Sequence, residues 1–197
     1  MRRVVVAAAI VVTVATLGWV GFVGLPRWYA TPQSVPGAAA AGPAEETPDR
    51  KIRAKLFYVA EDGLSLVSVD REAPFGEETV EQARRLIEAQ LQPAPAPLLQ
   101  PIPEGAAVRS VFLTDKGEAY VDMSPEISRN HPGGSLEELF TVYALVNVLT
   151  VNLPAVTSVQ ILVDGHEAET IAGHVDIRRP LVKNLSLLPQ PEPVREP

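Results

Sequence analysis

The residues able to do chemistry are few, and their spacing suits none of the common mechanisms. The 197-residue chain has three histidines, His131, His166 and His174, and no cysteine. Without thiols it has no disulfide, no thiolate metal site, no cysteine nucleophile and no cysteine to carry a lipid. No HExxH and no carboxylate-flanked HxH occurs, so the usual zinc spacing is missing. His166, His174 and Asp176 could meet across a terminal hairpin and hold a metal weakly. Ordinary turn and strand roles explain them better, so no metal and no cofactor is expected. No GxSxG marks a nucleophilic serine, and Gly133-Gly134-Ser135 reads as a helix entry. No glycine-rich loop ends in Lys-Ser or Lys-Thr to cradle a phosphate. A glycosidase needs only two carboxylates brought together in space, but Glu137 and Glu138 are better used at a helix N-terminus. No catalytic residue is expected.

Charge narrows the partners. The chain carries 17 Lys and Arg against 24 Asp and Glu. Residues 51–188 alone hold 12 basic against 19 acidic residues. No basic module is hidden inside the acidic whole, which excludes a phosphate-backbone binder.

The 46% hydrophobic content is uneven. Residues 4–25 (VVVAAAIVVTVATLGWVGFVGL) hold no charge. As a helix this run is roughly 33 Å long, enough to cross a ~30 Å hydrocarbon core. It is longer than the apolar core of a secretory signal, and the alanine run 38–41 lies too far downstream to be its cleavage site. One uncleaved transmembrane helix is therefore expected. Arg2 and Arg3 place the N-terminus in the cytoplasm and the rest of the chain outside, with Trp19, Trp28 and Tyr29 suited to the interfaces. Residues 26–50 contain five prolines and too little apolar surface to fold, so they read as a disordered linker. The tail 189–197 (PQPEPVREP) reads the same way.

Between them, residues 51–188 make one domain of ordinary size. Residues 51–60 and 64–71 alternate as two strands around the turn Glu61-Asp62-Gly63. Residues 76–91 change to a helical period through Val80, Ala83, Ile87 and Leu91, with Glu77, Glu78 and Glu81 near the positive end of the dipole. Pro93, Pro95 and Pro97 stop that helix, and 93–103 is a connection laid on the domain surface. Residues 107–114 and 118–122 flank Asp115-Lys116-Gly117 as a second hairpin. Ser135 and Glu138 match a capping box before the apolar run 136–150. Residues 158–163 and 169–177 form a third hairpin, with Asp164 and Gly165 in its turn, Gly173 at a bulge and Asp176 in the returning strand. Asn147, alone in an apolar helix, either bonds a buried backbone group or faces a partner. Asn147, Asp164, Gly165, Gly173 and Asp176 are the candidate structural or interaction residues. The resulting fold class is α+β, a mixed or antiparallel sheet of hairpins with two helices on one face, preceded by the transmembrane helix.

Several pieces together resemble the sporulation and spore germination (GerMN) domain family. They are Leu56-Phe57-Tyr58-Val59, the helix leading through proline-rich coil to Ile102-Pro103-Glu104-Gly105, and the stretches 119–124 (AYVDMS), 135–150, 161–165 (ILVDG) and 172–180 (AGHVDIRRP). The resemblance covers nearly all of 51–188, in a single copy. It implies a small, non-enzymatic domain, like ring-building domains in fold, on the outer side of a bacterial cytoplasmic membrane. The expected function is protein–protein assembly in the cell envelope, with further copies of itself or other envelope proteins, whether or not sporulation is involved. The alternatives are a module binding cell-wall polymer or a small ligand, and a wall hydrolase.

Overall fold

The computed structural model describes residues 50–189. Strands β1 (Lys51–Val59) and β2 (Leu66–Pro74) form an antiparallel hairpin. Helix α1 (Thr79–Gln90) and the proline-rich connection lead to β3 (Val108–Leu113) and β4 (Glu118–Met123). A short helix α2 (Glu126–Arg129) precedes the long α3 (Ser135–Asn152). Strand β5 (Ser158–Val163) and two short strands, β6 (His166–Glu167) and β7 (Leu181–Val182), complete the chain.

The expected fold class needs correction in three places. Among the described residues no helix is long and apolar enough to cross a membrane. The run 4–25 assigned to one, the linker 26–49 and the tail from 190 onward lie outside those residues. The three hairpins do not share a sheet: β1 and β2 stand alone, while β3, β4, β5 and β6 form a second sheet with β7 on β5. In that sheet β4 and β5 run parallel, Val121 opposite Ile161. The reason is the connection. A two-residue turn can join only antiparallel neighbours, whereas α3 is a crossover long enough to bring β5 back in the direction of β4. Thirdly, the expected strand 169–177 is irregular, and β5 is met by the short returning strands His166–Glu167 and Leu181–Val182 instead.

Both helices pack on the larger sheet, α1 over β3 and α3 over β5, and both meet the hairpin and each other. The inner positions Val111, Ala119, Val121, Val159 and Ile161 alternate along their strands and join one core with Leu86, Ile87, Leu145 and Leu149. Ten residues of α3 are buried, on all sides of the helix, because the hairpin, the sheet and the C-terminal segment each cover part of it. Gly117 fits the β3–β4 turn for two reasons. Its φ is +81°, and a Cβ there would lie 2.6 Å from the carbonyl oxygen of Ala155.

The outer edge of β1 has no strand beside it, yet it is closed. Phe57 N–H donates to Gln90 Oε1 (2.8 Å) and Phe57 C=O accepts from Gln90 Nε2 (2.6 Å). Two residues earlier, Lys55 N–H and C=O bond Asn152 Oδ1 and Nδ2, both at 2.8 Å. Two residues later, Val59 and Leu99 exchange backbone bonds at 2.9 Å. The last turns of α1 and α3 thus each supply one primary amide, whose donor and acceptor copy a strand's. Gln90→Leu leaves both polar groups of buried Phe57 unpaired, and each unmet group costs about 1–3 kcal/mol. Urea unfolding is expected to show a loss of about 2–4 kcal/mol for Gln90→Leu, and a smaller loss for Asn152→Leu, whose site is exposed.

Candidate functional site

The five candidate residues do not converge. Asn147 is fully buried in α3, where its Nδ2 donates to Asn184 C=O (2.8 Å) and its Oδ1 accepts from Asn184 N–H (2.9 Å). It holds a backbone group of its own chain, which decides between its two expected roles. Asp164 and Gly165 do make a tight turn, with φ +53° and +79°. They meet two residues that sequence spacing could not assign. The Gly165 N–H donates to Asp122 Oδ1 (2.7 Å), and Arg109 pairs with both Asp122 and Asp164. This small cluster sits where β4 and β5 both end, and it ties β3 to the turn after β5.

Asp176 is exposed and accepts the Arg178 backbone N–H (3.0 Å) and its guanidinium (3.0 and 2.7 Å). The Arg178 side chain, then its N–H, holds the Asp176 carboxyl well below the ordinary range. His166 Nδ1 donates to Asp164 C=O (2.7 Å) and His174 bonds Glu138. The three residues considered for a metal therefore each have a different partner. Among the described residues no group of His, Asp or Glu could hold a metal ion.

Gly173 lies in the irregular loop, with φ +100° and open space where a Cβ would sit. It is not a strand bulge; it allows the loop to curl around Glu138. That carboxylate is fully buried in the first turn of α3. Oε1 accepts Ile171 N–H and Ala172 N–H, both at 2.8 Å. Oε2 accepts His174 N–H at 2.7 Å and His174 Nδ1 at 3.2 Å. Burial pushes the Glu138 carboxyl up, but the N–H groups of Ala172, His174, Ile171 and Val175 together outweigh it and hold the group below its usual value.

Glu138 was expected to close a capping box with Ser135, and this too is corrected. The N-cap is Gly134, and no side chain caps the helix. With Gly134 as N-cap, Glu138 falls at N4 rather than N3 and turns to another segment, which offers it several donors where the box offers one. Its signature in the sequence was only S-x-x-E. The clue that was missed is the glycine-containing loop Thr170 to His174, a set of N–H groups needing an acceptor.

His131 stands on the other side of the same turn. Its Nδ1 accepts Gly133 N–H (3.0 Å), so the proton is on Nε2, which donates to Thr141 Oγ1 (3.0 Å). The Thr141 hydroxyl is shared between Pro101 C=O (2.5 Å) and Glu137 C=O (3.0 Å). Burial depresses the imidazole, against the raising influence of Glu138 and Glu137.

Glu138→Gln puts an amide NH₂ where only acceptors fit. Bonds to a charged acceptor are worth about 1.5–3 kcal/mol each, so a loss of about 3 kcal/mol or more is expected in thermal or urea unfolding. The folded carboxyl titrates below the ordinary 4.5. Its contribution is therefore complete above that pH and is lost as pH falls through the folded value. Unfolding free energy followed from pH 6 to pH 3 should fall steeply in the parent and less steeply in Glu138→Gln. An identical slope in both would show that Glu138 does not carry the acid sensitivity. Gly173→Ala, forced to positive φ, should cost about 1–2 kcal/mol in the same assay.

The described polar groups thus close loops onto elements. The first GerMN domain of the sporulation protein GerM from Bacillus subtilis aligns with a TM-score of 0.53 at 20% identity, over 66% of this chain and 97% of that one. The tandem GerMN domains of GerM align with a TM-score of 0.51 at 18% identity, over 70% of this chain and 46% of that one. The present chain spans about half the length of the tandem pair, which is one domain. At these identities the likeness shows the fold alone. No curated protein matches the chain. The family model described as sporulation and spore germination matches residues 55–169. Running from β1 across both helices to the loop after β6, and covering more than half of the sequence, that match makes the chain a member of the sporulation and spore germination domain family.

Proposed function

We propose that the domain is a non-catalytic docking module of the cell envelope, on the outer side of the cytoplasmic membrane, and that its partner is a second copy of itself. The envelope setting rests on the family and on the fold likeness to the domains of a sporulation protein. The observation that carries the docking is the edge of β3. This strand pairs with β4 on one side only. Its inward hydrogen bonds fall on Ser110 and Phe112, continuing the register of Thr114 with Glu118. Val111 and Leu113 therefore turn their backbone groups outward. Arg84 covers the carbonyl of Arg109, and among the described residues none hydrogen-bonds the outward groups of Val111 or Leu113. Phe112 is 62% exposed at the centre of this edge, beside Tyr120 on β4.

An unpaired edge with an exposed aromatic is a template for another strand. Two β3 strands meeting about a twofold axis at Phe112 would place Val111 opposite Leu113 of the second copy, in a hydrogen-bonded pair. Phe112 would face its own counterpart, and Arg109 would face Asp115. Opposite charges and an aromatic pair across strands each add about 0.2–1 kcal/mol. Such a contact is weak alone and gains from any restriction of the copies to one surface.

The absence of cysteine makes a direct test available. Phe112→Cys in the full-length chain places two thiols at the centre of the proposed contact, where directly opposed Cβ atoms are ~4.5–5.5 Å apart and a short closure completes a disulfide. Mild oxidation is expected to give a covalent dimer for Phe112→Cys and none for Leu64→Cys, which is equally exposed but remote. A Phe112→Cys chain that stays monomeric under oxidation, or dimers forming equally from both variants, would overturn the reading.

A further inference from the structure

The two long edges of the β1–β2 hairpin differ. On β1 the backbone groups of Lys55, Phe57 and Val59 point away from β2, and Asn152, Gln90 and Leu99 meet them. Antiparallel strands alternate inward and outward bonding. The bonds between the strands therefore join Ala54, Leu56 and Tyr58 to their register partners Arg71, Val69 and Val67. On β2 it is Leu66, Ser68, Asp70, Glu72 and Pro74 that face outward. The two ends of that edge are taken. Leu66 N–H donates to Leu187 C=O (2.9 Å), and Pro74 C=O accepts from Gln82 Nε2 (3.2 Å). Between them Ser68, Asp70 and Glu72 are exposed. Among the described residues none hydrogen-bonds the outward N–H and C=O groups of these three.

A cleft of ≈280 Å³ lies between this strand and α1, lined by Leu56, Arg71, Glu72, Pro74, Ala89 and Gln92 among others. Arg71 Nη1 donates to the Tyr58 hydroxyl (3.0 Å) and to Pro93 C=O (3.2 Å). Its Nε and Nη2 have no partner among the described residues, and neither is sealed from solvent. The other charged groups around the cleft are already paired: Glu72 with Lys51, Glu88 with Arg84 and Arg85, and Arg85 also with Glu81. Nε and Nη2 are one side of a planar fork, which a carboxylate takes with both oxygens.

We propose that this edge and cleft bind an extended peptide of another protein, which adds to the hairpin as a third strand and sets an acidic side chain on Arg71. In such an addition main-chain bonds give affinity, and alternate side chains give specificity. The residues opposite Ser68, Asp70 and Glu72 exchange backbone bonds with them when the peptide runs antiparallel. Their side chains lie beside two carboxylates, so Lys or Arg fits there. The intervening residues turn towards α1. There an acid meets Arg71, and aliphatic side chains meet Val67 and Val69, which are half-buried against the main core. A second β2 fits poorly. Centred on Asp70 or on Arg71 it opposes like charges, which destabilise a pair, and centred on Val69 it sets Val67 against Arg71.

The probe is the capped hexapeptide KEKVTV, whose glutamate falls opposite Arg71 and whose valines fall opposite Val69 and Val67. Hydrogen exchange of the full-length chain is followed by NMR with the probe at ~2 mM, a concentration suited to a weak site. The amides of Ser68, Asp70 and Glu72 are expected to slow about tenfold. Those of Val67, Val69 and Arg71 already bond β1 and should not change, so the readout alternates along the strand. A second probe, KKKVTV, should slow none of them in the parent. In Arg71→Glu the preference should reverse, with KKKVTV protecting the edge and KEKVTV not. Unchanged protection at Val67 and Val69 shows that the variant's hairpin is intact, and the two-probe comparison in the parent needs no variant. Edge amides that ignore KEKVTV in the parent would overturn the proposal, as would equal slowing by both probes. Slowing that grows with protein concentration in the absence of a probe would give the edge to a second copy and overturn it as well.

Discussion

A buried carboxylate with no lysine or arginine paired to it among the described residues is the constraint on which the second half of this fold depends. Taking the charge of Glu138 out of water costs several kcal/mol. The loop from Ile171 to Val175 offsets that cost by turning its N–H groups onto the two oxygens. Neither partner is stable in place without the other. The loop has no strand to satisfy its backbone, and the carboxylate has no other donors. Once the loop is fixed, Ile177 lies where its carbonyl can take the Gln160 amide (2.6 Å). The following residues then reach β5 as β7. A polar contact at the start of α3 therefore sets how the sheet's last strands are covered.

The same device recurs across the domain. Gln90 and Asn152 close β1, Asn147 holds Asn184, Asp122 holds the turn at Gly165, and Gln82 bonds Gly76 N–H (2.8 Å) and Pro74 C=O (3.2 Å). Each is a side chain that completes the hydrogen bonding of a backbone lacking a strand partner. Segments that are too irregular for a ladder can be buried only if their N–H and C=O groups find such partners. These buried polar side chains are used to hold backbone that lies outside the ladders.

Hydrophobic alternation made the strands legible. The pattern of Ile52, Ala54, Leu56 and Tyr58 marked β1, and Gly63 and Gly117 marked the turns of the two long hairpins. The helices were equally plain, α1 from its period and α3 from its apolar run. The sheet's partition was not, because alternation states that a strand has two faces and says nothing about which strand lies beside it. β5 beside β4 in parallel is a consequence of α3 as a crossover. The third hairpin is shorter than expected for a related reason. In the stretch Thr170 to His174 the N–H groups of Ile171, Ala172 and His174 go to one carboxylate 33 residues or more away in sequence, and that of Gly173 to Thr170 Oγ1. Asn147 stood out as a polar residue in an apolar helix, and its partner, the backbone of Asn184, lies 37 residues away in sequence.

The clasp of Asn147 on Asn184 and the bond from Leu66 N–H to Leu187 C=O (2.9 Å) bear on where this domain stops. The family match ends at residue 169. Cutting the chain there would strip β5 of β7, expose Phe140 where Leu187 covers it, and strand Asn147 and Glu138 with unmet polar groups in the core. The physical unit is longer than the recognisable one. Its final twenty residues carry little pattern of their own, but they act as the strap that keeps the most apolar of the described helices dry.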